Sequence, residues 1–429
     1  MVHEVKSEFG EHLWLKILIG MLVGVIVGLL LSPYGGALVD SDTAYQLAAW
    51  LKLPGVFFLG MIQMVVIPLI LCSIILGITQ SGEIEFLKKI GWRIVAYFIG
   101  TTTIAIIIGI GLVNVIKPGT FIDPSLVQNF QEEMLLQNVS EVKTFEDLTI
   151  PQRISNIIPV NVPGAMVERN LLQIVVAAMI VGIALLTMPS ASTKPVIDLC
   201  ISGQGIAMTV IGWAMKIAPF AVFGLLCDIM IKLGVGALAG MGMYMLTVIA
   251  GLLAMACVYV LIVMLIGRYD PIRFIKGAKE AQLLAFSTSS SAATMPFTLS
   301  CVEENMGADP KIARFVVPLG ATINMDGTAL YQAVAALFLV QVFGVVSGVE
   351  LSNTDIVLLM ITTVGASIGT PATPGVGIVV LATILTGIGL HPAAVGFIFG
   401  VDRILDMCRT TVNVTGDMAA TIVMQRWLK

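Results

Sequence analysis

Five polar residues near the C-terminal end, Asp402, Asp406, Arg409, Asn413 and Asp417, follow one another at spacings of 4, 3, 4 and 4 residues, the repeat of one α-helical face. The sequence around them is apolar, so they form a polar stripe on a helix otherwise suited to a hydrocarbon environment. Facing lipid, such a stripe would be prohibitively costly; it must face protein or water. Arg409 can grip a carboxylate through two parallel hydrogen bonds, and Asp406, one turn away, can take an ammonium. The alternative is a set of mutually paired buried charges that only cements a bundle. A further carboxylate, Asp326, lies in Asn324-Met325-Asp326-Gly327-Thr328, which interrupts an apolar stretch from Phe315 to Val345. Gly327 is expected to weaken the helix there. Oxygen ligands from Asn324 and Asp326, with freed backbone carbonyls, suit a hard cation such as sodium. A kinked structural helix with a hydrogen-bonded Asp326 is the alternative.

The elements that must hold these groups follow from composition. Of 429 residues, 57% are hydrophobic and 12% charged, against roughly 25% charged in soluble domains. The chain therefore reads as an integral membrane protein. A net charge of -4 with no basic block argues against nucleic acid as a partner. Cys72, Cys200, Cys227, Cys257, Cys301 and Cys408 stand singly and read as small buried hydrophobes. His3, His12 and His391 lie far apart, leaving little for a zinc or haem centre. An intramembrane enzyme using serines as nucleophiles would lack a nearby base, so no enzyme is expected. The run from Ile17 to Leu31 follows charges of both signs and precedes no small-x-small cleavage site; it reads as a retained membrane helix rather than a signal peptide.

Apolar spans of the ~20 residues that cross a bilayer begin at Ile17 and continue at Val56 to Ile78, Ile94 to Ile116, Leu171 to Met188, Ile206 to Ile231 and Met241 to Ile266. Lys88, Lys89 and Arg93, and later Arg268, Arg273, Lys276 and Lys279, mark the cytoplasmic side. Both termini are then cytoplasmic, and the acidic segment from Pro118 to about Pro163 lies outside. Two later apolar stretches, Phe274 to Phe286 and Ile356 to Ile368, are too short between breakers to cross. Each reads as one arm of a re-entrant hairpin, with tips at Ser289-Ser290-Ser291-Ala292-Ala293-Thr294-Met295-Pro296 and Gly369-Thr370-Pro371-Ala372-Thr373-Pro374-Gly375-Val376-Gly377. Broken backbone at membrane depth lines protein or a wet cavity, and breakers in corresponding places of two units point to a transporter's binding site.

The serine-rich tip, the Asn324 to Thr328 motif, the Gly/Pro tip and Asp406-Met407-Cys408-Arg409-Thr410-Thr411-Val412-Asn413-Val414-Thr415-Gly416-Asp417 together resemble the dicarboxylate/amino acid:cation symporters, a family that includes archaeal aspartate transporters and animal excitatory amino acid transporters. The resemblance implies an all-α polytopic membrane protein with eight transmembrane helices and two re-entrant hairpins, assembled as a homotrimer. It divides the chain into scaffold helices one and two (1–80), helix three (81–118), an extracellular loop (119–164), scaffold helices four and five (165–232) and the remaining transport domain (233–429). Helices three, six, seven and eight with both hairpins would move as an elevator. Position by position, it implies that Ser291 and Asn413 hold the α-carboxylate and Asp406 and Thr410 the ammonium. Thr328 and Arg409 would hold the side-chain carboxylate, with backbone of Ser289, Thr373 and Gly377 closing the tips. One sodium site would use Gly320, Asn324, Asn413 and Asp417. A second would use backbone around Thr322 with Ser367, Ile368 and Thr370, and a third Asn324 and Asp326 with Thr101 and Thr102.

Neutral amino acid exchangers of that family lack the arginine at Arg409, and C4-dicarboxylate carriers lack the acid at Asp406; keeping both favours an acidic amino acid. Met325 and Asp417 favour sodium over proton coupling. The reading is a plasma (inner) membrane symporter of L-aspartate or L-glutamate with sodium and no organic cofactor; the alternative is a proton-coupled glutamate/aspartate or C4-dicarboxylate symporter. Three positions depart from the family pattern. Arginines of relatives at Ser289 or Met407 are missing, and Arg403, one turn earlier, is expected to reach the same region and balance Asp402 or Asp406. Pro371-Ala372-Thr373 replaces a glycine-containing tip. Phe98 stands where relatives carry a tyrosine near the third sodium site.

Overall fold

The computed structural model describes residues 13–79, 84–122, 158–167, 171–234, 236–347, 349, 351–368, 370, 372 and 374–428. Among these there are helices and no strand. The predicted external loop falls largely outside this set, as do Thr373, His3 and His12. In chain order the helices are α1 (Leu13–Leu31), α2 (Ser41–Leu51), α3 (Leu53–Thr79), α4 (Ile84–Ile116), α5 (Val162–Val167), α6 (Leu171–Thr187), α7 (Ser190–Leu233) and α8 (Gly236–Leu265). They continue as α9 (Pro271–Thr288), α10 (Ser291–Ser300), α11 (Pro310–Ile323), α12 (Asp326–Ser347), α13 (Asn353–Ile368), α14 (Val376–Gly387) and α15 (Val395–Leu428). Four stretches among the described residues are long and apolar enough to cross a bilayer, Gly91–Phe121, Ala191–Leu233, Leu238–Leu265 and Pro310–Gly344, and shorter apolar helices accompany them. With large side chains such as Leu22, Phe57, Trp92 and Leu253 more than 60% exposed on helix surfaces, the chain is a multi-pass membrane protein.

The helices pack as two groups, joined where α15 meets α7, α3 meets α11 and α14, and α6 meets α13. In the first, α7 lies against α1, α2 and α3, and α6 lies against α3. Gly20, Gly24 and Gly28 place one bare face of α1 on α7: a Cβ on Gly20 would come within 2.5 Å of Pro219 O, and one on Gly24 within 2.6 Å of Phe223 O. Lipid gives helices no hydrophobic reason to associate, so close backbone approach supplies the contact. Cys227 Sγ adds a hydrogen bond to Gly24 O at 3.2 Å. In the second group, α15 lies against α8, α9, α11 and α12, and α4 lies against α12 and α8. Tyr244 stacks on Phe338 with ring centroids 4.7 Å apart, and Phe397 meets Phe343 edge-on at 5.7 Å.

Local chemistry sets the breaks. Helix α9 has 18 residues and starts before the expected Phe274 because Asp270 caps it, accepting from Ile272 N at 2.9 Å, with Pro271 in the first helical position. It ends at Ser289, whose φ of 52° is left-handed, and Ser290 then caps α10 by accepting from Ala293 N at 3.2 Å. Helices α9 and α10 pack on each other, as do α13 and α14, giving two helix-turn-helix units at the predicted tips. Gly375, with φ of 77°, immediately precedes α14. One expectation needs correcting. The break between α11 and α12 falls on Asn324 and Met325, and Gly327 is the second residue of α12 rather than the breaker. A Cβ there would lie 2.5 Å from Arg409 O and 3.0 Å from Asn413 Oδ1, so Gly327 is the point at which α12 and α15 touch.

Candidate functional site

The polar stripe of α15 is buried against the broken helix and the second tip. Arg409 is 1% exposed. Its Nη1 donates to Asp402 Oδ1 at 3.1 Å, its Nε donates to Asp406 Oδ1 at 3.0 Å, and Nη2 lies 2.9 Å from that same oxygen. The guanidinium carbon sits 4.3 Å from the ring centre of Tyr331, a face-on geometry that also attracts the charge. Asp406 Oδ2 accepts the Gly375 amide at 2.9 Å, tying the second tip to α15. Gly377 lies directly on the guanidinium: a Cβ would come within 2.8 Å of Arg409 Cζ. Gln332 Nε2 holds the Gly377 carbonyl at 3.3 Å. Arg403 does reach this region, with Nη1 3.5 Å from Asp406 Oδ2.

One turn further along α15, Asn413 joins it to α12. Its Oδ1 accepts the Gly327 amide at 2.7 Å and its Nδ2 donates to Thr328 Oγ1 at 3.1 Å. Thr410 Oγ1 donates to Asp406 O at 2.8 Å within the helix. The two tips meet: Ser290 Oγ donates to Ala372 O at 2.7 Å. Ser289 Oγ is buried without a hydrogen-bond partner, and Ser291 is 3% exposed beside it.

Two carboxylates on the far side of Asn413 have a different environment. Asp417 Oδ1 accepts Asn324 Nδ2 at 3.0 Å and presses on Gly320, where a Cβ would come within 2.4 Å of it. Asp326 Oδ1 accepts the Thr102 hydroxyl, and its Oδ2 accepts the Tyr259 hydroxyl. Both acids are at most 1% exposed, and among the described residues neither takes part in an ion pair. Asn324 Oδ1 is buried without a hydrogen-bond partner. Buried anions are ordinarily paired or bind cations, and carboxylate, amide, hydroxyl and carbonyl oxygens are the donor set of a hard cation. Thr101 also reaches Asp326 with its hydroxyl, whereas the remaining sequence-derived ligands are not joined to these acids: Thr322, Ser367 and Thr370 hydrogen-bond the carbonyls of Leu319, Val364 and Ala366. Ile368 ends α13. Tyr259, Tyr331 and Gln332 were missed by the sequence reading. An aromatic or an amide in an apolar helix carries no signal until a partner helix is placed against it.

Over residues 13–427 the chain matches the sodium:dicarboxylate symporter family. It belongs to that family. The family is one of transporters, not of enzymes. The chain is 34% identical over 427 residues to a proton/sodium-glutamate symport protein of Bacillus subtilis, covering 98% of this chain and 94% of the relative. It is 32% identical over 413 residues to a proton/glutamate-aspartate symporter of Escherichia coli, covering 96% and 92%. It is also 32% identical over 466 residues to excitatory amino acid transporter 5 of Mus musculus, covering 95% and 81%. Members of the sodium:dicarboxylate symporter family named for different ions thus share similar identity with this chain. The four motifs that carried the resemblance all lie within the matched span.

Proposed function

We propose that the protein is a secondary active symporter that brings an acidic amino acid, L-aspartate or L-glutamate, into the cell with sodium ions. The observation that carries the reading is the buried Arg409 guanidinium shared between Asp402 and Asp406 beneath Gly377. Breaking a buried pair by removing one partner costs about 3–5 kcal/mol. A ligand that took Arg409 away from Asp406 with a carboxylate alone would leave Asp406 unpaired. A ligand with a carboxylate for Arg409 and an ammonium for Asp406 leaves neither charge bare. The second carboxylate of an acidic amino acid goes to Asn413 and Ser291, and Thr328, Thr410 and the backbone of Ser289, Thr373 and Gly377 complete the site.

Two cation sites use the two acids that have no ion pair, one from Gly320, Asn324, Asn413 and Asp417 and one from Asn324 and Asp326 with Thr101 and Thr102; a third, without an acid, uses Thr322, Ser367, Ile368 and Thr370. Each positive charge moving down a 100 mV potential supplies about 2.3 kcal/mol. Coupling follows if substrate and ions stabilise the closed second tip together, a reciprocal linkage. The group of α1, α2, α3, α6 and α7 is the scaffold, and α4 with α8 to α15 is the elevator. Eight spans and two hairpins place both termini in the cytoplasm of a plasma-membrane protein. The assembly is a homotrimer; Leu199, Ile206, Trp213 and Phe220, exposed on α7 at seven-residue intervals, offer a face for it.

The test is uptake of labelled aspartate and glutamate by the purified protein in liposomes, with an inward sodium gradient, with equal sodium, and with a proton gradient alone. Accumulation driven by the sodium gradient supports the reading, and accumulation driven only by protons overturns sodium coupling. That second result is the proton-coupled alternative; of the bacterial relatives, one is named for protons and sodium and the other for protons.

A further inference from the structure

Tyr259 belongs to no motif in the sequence, yet its hydroxyl is the partner of the deepest acid in the structure. It sits on α8, 0% exposed, and donates to Asp326 Oδ2 while Thr102 of α4 donates to Oδ1. Both oxygens of the carboxylate are therefore fixed, each by a hydroxyl from a different helix. The pocket for the Tyr259 hydroxyl is made by Gly416 of α15. A Cβ there would lie 2.3 Å from the Tyr259 oxygen and 2.5 Å from Asn324 Nδ2. One bare backbone position thus admits both the hydroxyl that holds Asp326 and the amide that holds Asp417. The Phe98 ring, 1% exposed on α4, brings no hydroxyl to the region.

We propose that Tyr259 is a positioning residue of the cation-binding region, fixing the Asp326 carboxylate so that its oxygens, Asn324 and the Thr101 and Thr102 hydroxyls present themselves together to the coupled cation. The proposal rests on the sodium reading given above. A carboxylate held on one side only is free to rotate and to take hydroxyl or amide donors that a cation needs as oxygen ligands. A hydrogen bond to a charged group contributes on the order of a tenfold change in an equilibrium constant or somewhat more. Losing it should therefore move sodium affinity and leave the Arg409 end of the site alone.

The experiment compares wild type with Tyr259→Phe, which keeps the ring and removes the oxygen. Two quantities are read: the unfolding temperature of the purified protein against sodium concentration, with choline holding ionic strength constant, and aspartate uptake in liposomes against sodium. The expected result is an approximately tenfold rise in half-saturating sodium in both, with the aspartate KM at saturating sodium shifted by less than about twofold. Thr102→Val, which frees the other oxygen of the same carboxylate, should shift sodium in the same direction. An unshifted sodium dependence in Tyr259→Phe overturns the proposal. So does an aspartate KM that rises as much as half-saturating sodium, since that is the mark of a merely structural residue. A wild-type protein that sodium neither stabilises nor drives overturns the sodium reading and this proposal together, whereas a sodium-dependent wild type with an unaltered variant overturns the proposal alone.

Discussion

At the scale of single residues, Arg409 is bound to two acids by different nitrogens, Nη1 to Asp402 and Nε to Asp406. An ammonium is a point charge on a flexible stem and cannot reproduce that planar fork. Arg409→Lys is therefore expected to raise the aspartate KM by about 10–100-fold, measured as initial uptake at saturating sodium; a KM within twofold of wild type would show that the fork is not what holds the carboxylate. Gly377→Ala tests the same contact from the other side. Its Cβ would fall 2.8 Å from Cζ and 2.8 Å from Nη2 of Arg409, and relieving it means moving either the guanidinium or the tip. Aspartate affinity should drop while sodium stabilisation of the purified protein persists. The stripe from Asp402 to Asp417 was legible because periodicity needs no partner. Tyr331, Gln332 and Tyr259 were not, because their roles exist only through α15, the second tip and α12 respectively.

Elements carry the second kind of information. Prolines, glycines and polar clusters in an apolar chain marked both tips and the α11–α12 break, since unsatisfied backbone has so few permitted places in a membrane. What they did not mark was which residue makes the break. Gly327 reads as a helix weakener by propensity, yet its bare Cα is used for contact with Arg409 O, and contact across helices is invisible in one helix's own sequence. The same reasoning gives a prediction for α1. Gly24→Leu would drive a side chain into Phe223 O, where even a Cβ has only 2.6 Å. Overpacking of this sort costs about 1–3 kcal/mol, and here the obstacle is backbone. The unfolding temperature in detergent should fall, with half-saturating sodium and aspartate unchanged in the protein that remains folded. Asp270→Ala removes the cap of α9 and should cost about 1 kcal/mol, whereas Asp270→Ser should restore most of it by the same measurement.

At the scale of the whole molecule, the question is whether α15 stays put against the first helix group. A small cavity of about 20 Å³ lies between them, with Ile17, Phe58 and Met215 on one wall and Arg403, Asp406 and Gly375 on the other. Beside it Phe58 meets Phe399 edge-on at 5.3 Å. The wall of the first group is apolar, as the proposed elevator movement of α15 along it would require. At one close contact between them, a Cβ on Gly400 would lie 2.4 Å from Leu226 Cγ. That carbon is one bond from the Leu226 Cβ, so cysteines at the two positions bring their Cβ atoms to about 4 Å or less, near enough for a disulfide to form. The expected outcome for Leu226→Cys with Gly400→Cys, in a background with the six native cysteines replaced, is loss of sodium-driven aspartate uptake on oxidation and its return on reduction. Sodium should still stabilise the cross-linked protein, because every oxygen of the proposed cation sites lies in the second helix group, in α4, α11, α12, α13 and α15 or in the residues that follow α11 and α13. A cross-linked protein that keeps transporting at the reduced rate would mean that substrate crosses without α15 moving relative to α7. The two tips, joined by Ser290 and Ala372, would then have to open in turn around a stationary site.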